Sequence, residues 1–202
     1  MRTFILRARQ GSTRWQDWQK RIGGKTHAEI IAHCIMNAFF VANGFREDVV
    51  VHLILDSTPD FPRTIQLSGN NGLSFTGFHE EAILGVIENA LKVGEHLEKN
   101  ETCSVAPGLQ ISAFGFEKLL NPLVETAAVY LLDPKGEEIR TTALDSNPVF
   151  VLSDHLALPK NSIKGLKRRG LKALSVGRKM LFASQCVTIL HYEMDRFERG
   201  LI

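Results

Sequence analysis

Several sequence features are scarce in this chain of 202 residues, and each absence argues against a class of protein. The three cysteines are widely spaced and form no CxxC pair, which disfavours a disulfide framework and a zinc site. No segment approaches the roughly 20 consecutive apolar residues that a membrane-spanning helix needs. The N-terminal apolar run is too short, and too closely interrupted by arginine, for a signal peptide. We therefore expect a cytoplasmic protein with no membrane contact and no bound metal.

The common signatures of nucleotide-binding and hydrolase sites are also missing. The chain has no GxxxxGKS or GxxxxGKT phosphate loop, no GxGxxG after its first predicted strand, no HExxH and no GxSxG. P-loop NTPases, standard dinucleotide-binding enzymes and serine hydrolases are therefore disfavoured.

Basic residues are concentrated in two regions, although the net charge is only +2. Residues 160–179 contain eight lysines and arginines and no acidic residue. Residues 2–25 contain seven basic residues, opposed only by Asp17. The seven are Arg2, Arg7, Arg9, Arg14, Lys20, Arg21 and Lys25. Brought together in space, the two regions would suit a polyanion; separately, each is equally typical of a solvated surface.

Alternating apolar runs and amphipathic segments predict an α/β fold with a mostly parallel sheet and helices on both faces. We expect a single domain over 1–202, with an N-terminal elaboration over about 1–25. We predict strands over 3–8, 48–55, 64–67, 73–75, 109–112, 127–132, 149–152 and 171–174, a turn over 133–136, and helices over 26–43, 80–97, 116–120, 162–168 and 181–196. The last helix carries an apolar stripe that must be buried, formed by Ala183, Val187, Leu190, Met194 and Phe197.

Three of the predicted strands end in unusual turns. The first ends at Leu132 and Asp133, and the second at Ser153, Asp154 and His155. The third runs from Leu174 through a glycine-containing loop into the last helix. Ligands of parallel sheets bind outside the carboxyl ends of the strands, so these turns predict a binding site.

The segments 147–155 and 175–195 resemble the signature of SPOUT-class methyltransferases, the trefoil-knot enzymes, of the type that methylates N1 of pseudouridine in tRNA. Residues 1–5, 46–50 and 106–108 are also similar to that family, so the resemblance spans nearly the whole chain. It implies an S-adenosylmethionine-dependent methyltransferase acting on RNA, a knotted C-terminal third and a homodimer. A SPOUT enzyme acting on another RNA base, or a catalytically silent RNA-binding module of the same fold, remains an alternative.

The resemblance also implies where S-adenosylmethionine would bind. Its adenine needs a flat apolar slot with main-chain partners, and Gly177 would let the loop backbone approach closely. The residues expected to surround the cofactor are Leu132, Ser153, Leu174, Ser175, Val176, Gly177, Met180, Leu181 and Cys186.

Asp154 and His155 are the candidates for the general base, because N1 of pseudouridine must lose a proton as it attacks the methyl group. The alternatives are a turn-capping role for Asp154 and a structural role for His155. For Cys186 we favour a buried pocket wall over a nucleophile. The candidates for RNA contacts are Arg7, Arg9, Arg14, Lys167, Arg168 and Arg169.

Four further side chains have competing interpretations. Trp15 and Trp18 lie among basic residues and could stack on unpaired bases, or could anchor their loop on the core. His191 and Asp195 are four residues apart on one helical face, and a structural role is favoured for the pair.

Overall fold

The computed structural model describes residues 1–19, 28–154 and 156–198. Lys20, Arg21, Lys25, His155 and the first residues of the helix predicted over 26–43 lie outside the described residues. The strands are β1 (Arg2–Ser12), β2 (Phe40–Val41), β3 (Gly44–Phe45), β4 (Val49–Ser57), β5 (Arg63–Ser68), β6 (Thr102–Ala106), β7 (Leu109–Ser112), β8 (Val129–Glu138), β9 (Val149–Ser153) and β10 (Lys172–Ser175). The α-helices are α1 (Ala28–Phe39), α2 (Glu80–Val93), α3 (Phe116–Thr126), α4 (Lys160–Arg168) and α5 (Ala183–Glu198).

Eight strands form one sheet in the order β10-β8-β9-β1-β4-β5-β7-β6. The strands from β10 to β4 are mutually parallel, and β5, β7 and β6 continue the sheet with antiparallel pairings. The prediction of a mostly parallel α/β fold is confirmed. Strand β1 lies between β9 and β4, so 11 residues of the segment predicted as an N-terminal elaboration form a central strand of the sheet. A short 3₁₀ helix follows at Trp15–Trp18.

Helices cover both faces of the sheet and create two hydrophobic cores. The larger core joins the sheet to α1, α2 and α5, and the smaller one joins it to α3 and α4. The predicted stripe of the last helix is confirmed, because Val187, Leu190 and Met194 are buried in the larger core. No helix in the described ranges is both long enough and apolar enough to cross a membrane.

Several predicted boundaries are wrong because aromatic packing and close backbone approach override local propensity. Helix α1 ends at Phe39 and not at residue 43, since the chain turns back through β2 and β3 to pack Phe40 against Phe45. The strand predicted over 73–75 is absent, and the Phe75 ring instead packs on this aromatic cluster. Helix α2 ends at Val93 with Gly94 as its C-cap, at a point where a Cβ atom on Gly94 would lie 2.7 Å from the Ile111 side chain.

The turn predicted over 133–136 is a wide bulge inside β8. Tyr130 and Leu131 pair with Lys172 and Ala173 of β10, but the next pairs along β10 are Leu174 with Glu137 and Ser175 with Glu138. Residues 132–136 therefore leave the sheet between consecutive pairs. A Cβ atom at Gly136 would lie 2.5 Å from the Ala173 backbone, so only glycine allows the chain to return so closely.

Candidate functional site

A cleft opens where the neighbouring parallel strands β8, β9 and β10 end. It has about 540 Å³ of empty volume, part of it open to solvent, and most of its lining is apolar. The residues that line it are Leu132, Asp133, Pro134, Leu152, Ser153, Asp154, Leu174, Val176, Gly177, Lys179, Met180, Leu181, Ala183 and Cys186. The β8 bulge, the tip of β9, the loop after β10 and the start of α5 thus meet at one place.

The structure brings together eight of the nine residues expected around the cofactor. The ninth, Ser175, lies behind the wall, where its hydroxyl accepts a hydrogen bond from the Gly177 amide at 3.1 Å. The same hydroxyl can donate its proton to the carbonyl oxygen of Gly177 at 3.2 Å or to that of Pro134, in the β8 bulge, at 3.4 Å. Ser175 therefore holds the main chain at Gly177 and lies within hydrogen-bond distance of the β8 bulge.

Several lining residues were absent from the predicted set, among them Asp133, Pro134 and Ala183. Asp133 and Pro134 follow the end of a predicted strand, and Ala183 lies in the first turn of the predicted last helix. The signal that could have identified Asp133 and Pro134 is the turn composition of residues 133–136, interpreted as part of the site and not as a connection.

Gly177 adopts a backbone conformation that side chains rarely tolerate, with φ at 134°. A Cβ atom placed on it would meet no other atom within 4 Å. The loop therefore needs glycine for its backbone angle and not for lack of space.

Asp154 serves as a turn cap and also lines the cleft. Its Oδ1 accepts a hydrogen bond from the Leu156 amide at 2.9 Å, and its own amide donates to the carbonyl oxygen of Arg7 at 3.2 Å. Because β9 pairs with β1, these bonds fix the carboxylate at the end of the sheet. The capping role is confirmed, and it leaves the carboxylate beside the cleft.

Cys186 forms part of the cleft wall. Burial raises the pKa of its thiol, so the protonated form prevails at neutral pH. Behind it, burial and the nearby Cys186 and Asp154 raise the pKa of Cys34 to about 12. Both thiols therefore act as small apolar side chains.

Basic residues of α4 form an open groove next to the cleft. Lys160, Lys164, Lys167 and Arg168 line it, together with Ile163 and Asp133. Asp133 lines both the groove and the cleft, and its Oδ2 lies 3.9 Å from Nζ of Lys167. Arg169, at the end of α4, is exposed.

Arg9 connects the N-terminal basic region to this groove. Its guanidinium donates a hydrogen bond to the carbonyl oxygen of Ala157, in the loop that leads into α4, at 3.2 Å. Arg14 is exposed beyond β1.

Arg7 does not fit its predicted role as a phosphate contact. Only 9% of the residue is exposed, its Nε donates to Asp56 Oδ2 at 2.7 Å, and its guanidinium lies over the Phe116 ring at 4.4 Å. A buried cation needs a paired anion, so Arg7 is part of the core and we leave it out of the RNA surface.

Both tryptophans are packed against protein rather than presented to solvent. Trp18 is completely buried, and its indole N–H donates to the carbonyl oxygen of Ser12 at 2.9 Å. Trp15 is half-buried, with its ring next to Lys92 Nζ at 4.6 Å and its N–H bonded to Glu95. The anchoring interpretation is confirmed for Trp18 and is supported for Trp15.

Asp195 has the structural role that the sequence favoured. Its two oxygens accept hydrogen bonds from Arg46 at 3.1 and 2.6 Å, and Arg2 lies 2.7 Å from the first of them. These contacts fasten α5 to β1 and to the segment that follows β3. Among residues 1–19, 28–154 and 156–198, no group of three or more histidine, cysteine, aspartate or glutamate side chains is arranged to hold a metal ion.

Residues 1–199 match the model of a family described as "Putative SAM-dependent RNA methyltransferase". The chain belongs to this family. Its cofactor is therefore S-adenosylmethionine (SAM), and its activity is methyl transfer to RNA.

Similar proteins agree with this assignment. A Vibrio cholerae protein named "Putative pseudouridine methyltransferase" is 46% identical over 200 residues, which are 99% of this chain and 100% of that protein. A Photobacterium profundum protein of the same name is 44% identical over 195 residues, or 96% and 98% of the two chains. The crystal structure of Archaeoglobus fulgidus Nep1 bound to S-adenosylhomocysteine superposes with a TM-score of 0.63 at 14% identity, covering 98% of each chain. The likeness to Nep1 shows the SPOUT fold. The trefoil knot stays a prediction.

Proposed function

We propose that this RNA methyltransferase transfers the methyl group of SAM to N1 of pseudouridine, in the T-loop of tRNA. The observation that carries the proposal is the cleft at the ends of β8, β9 and β10, flanked by the basic groove of α4. The choice of pseudouridine is supported by the names of relatives that are 43–46% identical over at least 96% of this chain.

The cleft has the chemistry that SAM requires. Leu132, Leu174 and Val176 provide apolar side chains for an adenine ring, and the main chain around Gly177 is held by Ser175. The carboxylates of Asp133 and Asp154 lie in the same lining and suit the positive charges of the cofactor. When bound, SAM supplies an activated methyl group.

Asp154 is the residue we assign as the base that accepts the N1 proton. Its position is fixed by main-chain hydrogen bonds on both sides, which favours a constant geometry relative to the substrate. His155 remains the second candidate for this role, by its position in the sequence.

The α4 groove would hold the RNA backbone. Lys167, Arg168 and Arg169 can contact phosphates, and Arg9 extends the basic surface from β1. Arg14 would contact RNA farther from the cleft. Because Asp133 borders both groove and cleft, a strand held in the groove would pass next to the methyl donor.

We also propose a homodimer acting in the cytoplasm, where tRNA is found. Helix α5 carries an exposed aromatic ring, Tyr192, that would suit an apolar contact with a second copy. Sedimentation velocity over a range of concentrations tests this part, and a monomer at all concentrations would contradict it.

Methyl transfer from labelled SAM to paired T-arm transcripts tests the reaction. One transcript carries uridine and the other pseudouridine at the target position, and the products are identified by nucleoside mass spectrometry. We expect label only in N1-methylpseudouridine. Label in another nucleoside would assign a different base, and no transfer to either transcript, despite measurable SAM binding, would contradict the proposed substrate.

A further inference from the structure

Two large apolar side chains stand exposed beside the cleft. Met180 and Phe182 flank Leu181 in the loop between β10 and α5, with 84% and 69% of their surface exposed. Leu181 and Ala183, the two neighbours of Phe182, both line the cleft. An exposed phenylalanine costs hydrophobic free energy unless something covers it during function.

The backbone that carries Phe182 is fixed. Its amide donates a hydrogen bond to Oε1 of Gln185 at 3.0 Å, and its carbonyl oxygen accepts one from the Cys186 amide at 3.1 Å. These bonds form the first turn of α5. Only the two side-chain torsions of Phe182 lose freedom when a ligand contacts the ring, so the entropic cost of that contact is small.

The charges around Phe182 suit a nucleic acid. Arg178 and Lys179 precede it in the same exposed loop, and Lys179 lines the cleft. An aromatic ring among cations is the combination that proteins use to stack an unpaired base and hold its phosphates.

We propose that the Phe182 ring stacks on the nucleobase that receives the methyl group, while Arg178 and Lys179 hold the adjoining phosphates. This inference rests on the proposed function, since it assigns a substrate contact to that reaction. A second copy of this chain is the competing occupant of the exposed ring, and the experiment separates the two.

The test compares Phe182→Ala, Phe182→Leu and Phe182→Trp with the wild type. Phe78→Ala is the matched control, because Phe78 is 75% exposed and lies just before α2, outside the cleft lining. Each protein, saturated with S-adenosylhomocysteine, is titrated with a fluorescent RNA hairpin that contains pseudouridine. Methyl transfer is measured separately with labelled SAM, and the oligomeric state by sedimentation.

We expect Phe182→Ala to weaken hairpin binding and to lower kcat/KM by about 10- to 100-fold, the range found when a stacking ring is removed. Phe182→Trp should retain most of the affinity, Phe182→Leu should not, and Phe78→Ala should match the wild type. SAM affinity and sedimentation should stay unchanged in all variants.

Wild-type RNA affinity in Phe182→Ala, or a change in its sedimentation, would overturn the stacking role. Failure of the proposed function gives a different result. If the wild type binds the hairpin through Phe182 but methylates no pseudouridine, the stacking role is supported and the proposed reaction is contradicted. A wild type that neither binds nor methylates the hairpin overturns both.

Discussion

Arg2 donates a hydrogen bond of 3.0 Å to Nδ1 of His191, which lies 189 residues away in the last helix. An arginine can only donate, so Nδ1 carries no proton and Nε2–H donates to the carbonyl oxygen of Ala38, also at 3.0 Å. Burial lowers the pKa of His191 to about 4, and the charges of Arg46 and Arg2 contribute. A neutral histidine therefore joins β1, α1 and α5.

Acid should loosen this junction. In the unfolded chain His191 is protonated below pH 6.5, whereas in the folded chain it stays neutral until about pH 4. The contribution of His191 to the free energy of unfolding is therefore complete above pH 6.5 and decreases as the pH falls towards 4. His191→Gln can make both hydrogen bonds without titrating. We expect equal urea stability of the two proteins at pH 7.5, and a decrease between pH 6.5 and 4 that is smaller in the variant by up to about 3 kcal/mol. Parallel pH profiles would contradict the assignment.

The order of strands and helices could be predicted because their apolar periodicity is strong, whereas element ends depended on distant contacts. Strand β7 was predicted with its observed bounds, since Leu109 and Ile111 alternate with the polar Gln110 and Ser112. Strand β6 was missed because polar Thr102 and Ser104 occupy its exposed positions at the edge of the sheet. The close approach of Gly94, the C-cap of α2, to Ile111 cannot be predicted from neighbouring residues, because Ile111 lies on β7.

Asp154→Asn separates the two roles of this carboxylate. The amide oxygen of asparagine can still accept the Leu156 hydrogen bond, but it cannot accept the N1 proton at neutral pH. We expect an unchanged melting temperature, with the single-turnover rate at saturating SAM lowered by roughly 100-fold or more. Asp154→Ala should be less stable as well. A wild-type rate in the asparagine variant would leave only the capping role.

Gly177→Ala should weaken SAM binding through the backbone alone. The methyl group meets no neighbour, but a φ of 134° strains any side-chain-bearing residue, by about 1 kcal/mol or more. Gly85→Ala in α2 is the matched control, since a Cβ atom there also meets nothing within 4 Å. Calorimetric titration with SAM should show an affinity lower by roughly 5-fold or more for Gly177→Ala and unchanged for the control.

Leu132→Arg should block the cleft itself. Leu132 lines the cleft at the start of the β8 bulge, so a long charged side chain there competes with the cofactor. We expect no measurable SAM binding and a normal circular dichroism spectrum. Binding at wild-type affinity would remove the cleft as the cofactor site.

The basic groove should determine the salt dependence of RNA binding. Alanine at Lys167, Arg168 and Arg169 together should lower the slope of log affinity against log salt by roughly 0.7 to 0.9 for each phosphate that is no longer neutralised. The exposed Lys99, in the loop after α2, provides a control substitution that should leave the slope unchanged. An unchanged slope in the triple variant would make this part of α4 an ordinary solvated surface.

The candidate site was largely predictable because it lies at strand ends that carry recognisable turns. Arg7 was misplaced, since its partner Asp56 is 49 residues away and no local pattern reports that ion pair. Its position between Leu6 and Ala8, on a strand that is paired on both sides, could have indicated that Arg7 is buried.

The β8 bulge also has a consequence for synthesis on the ribosome. Its two flanks pair with β10, so Leu132, Asp133 and Pro134 take their place in the cleft only after residues 172–175 have left the exit tunnel. SAM binds the folded protein and therefore stabilises only molecules that have reached this stage. A nascent or prematurely released chain ending before residue 172 lacks β10 and with it the proposed methyl-donor site, so we expect SAM to be held only by molecules synthesised beyond this point.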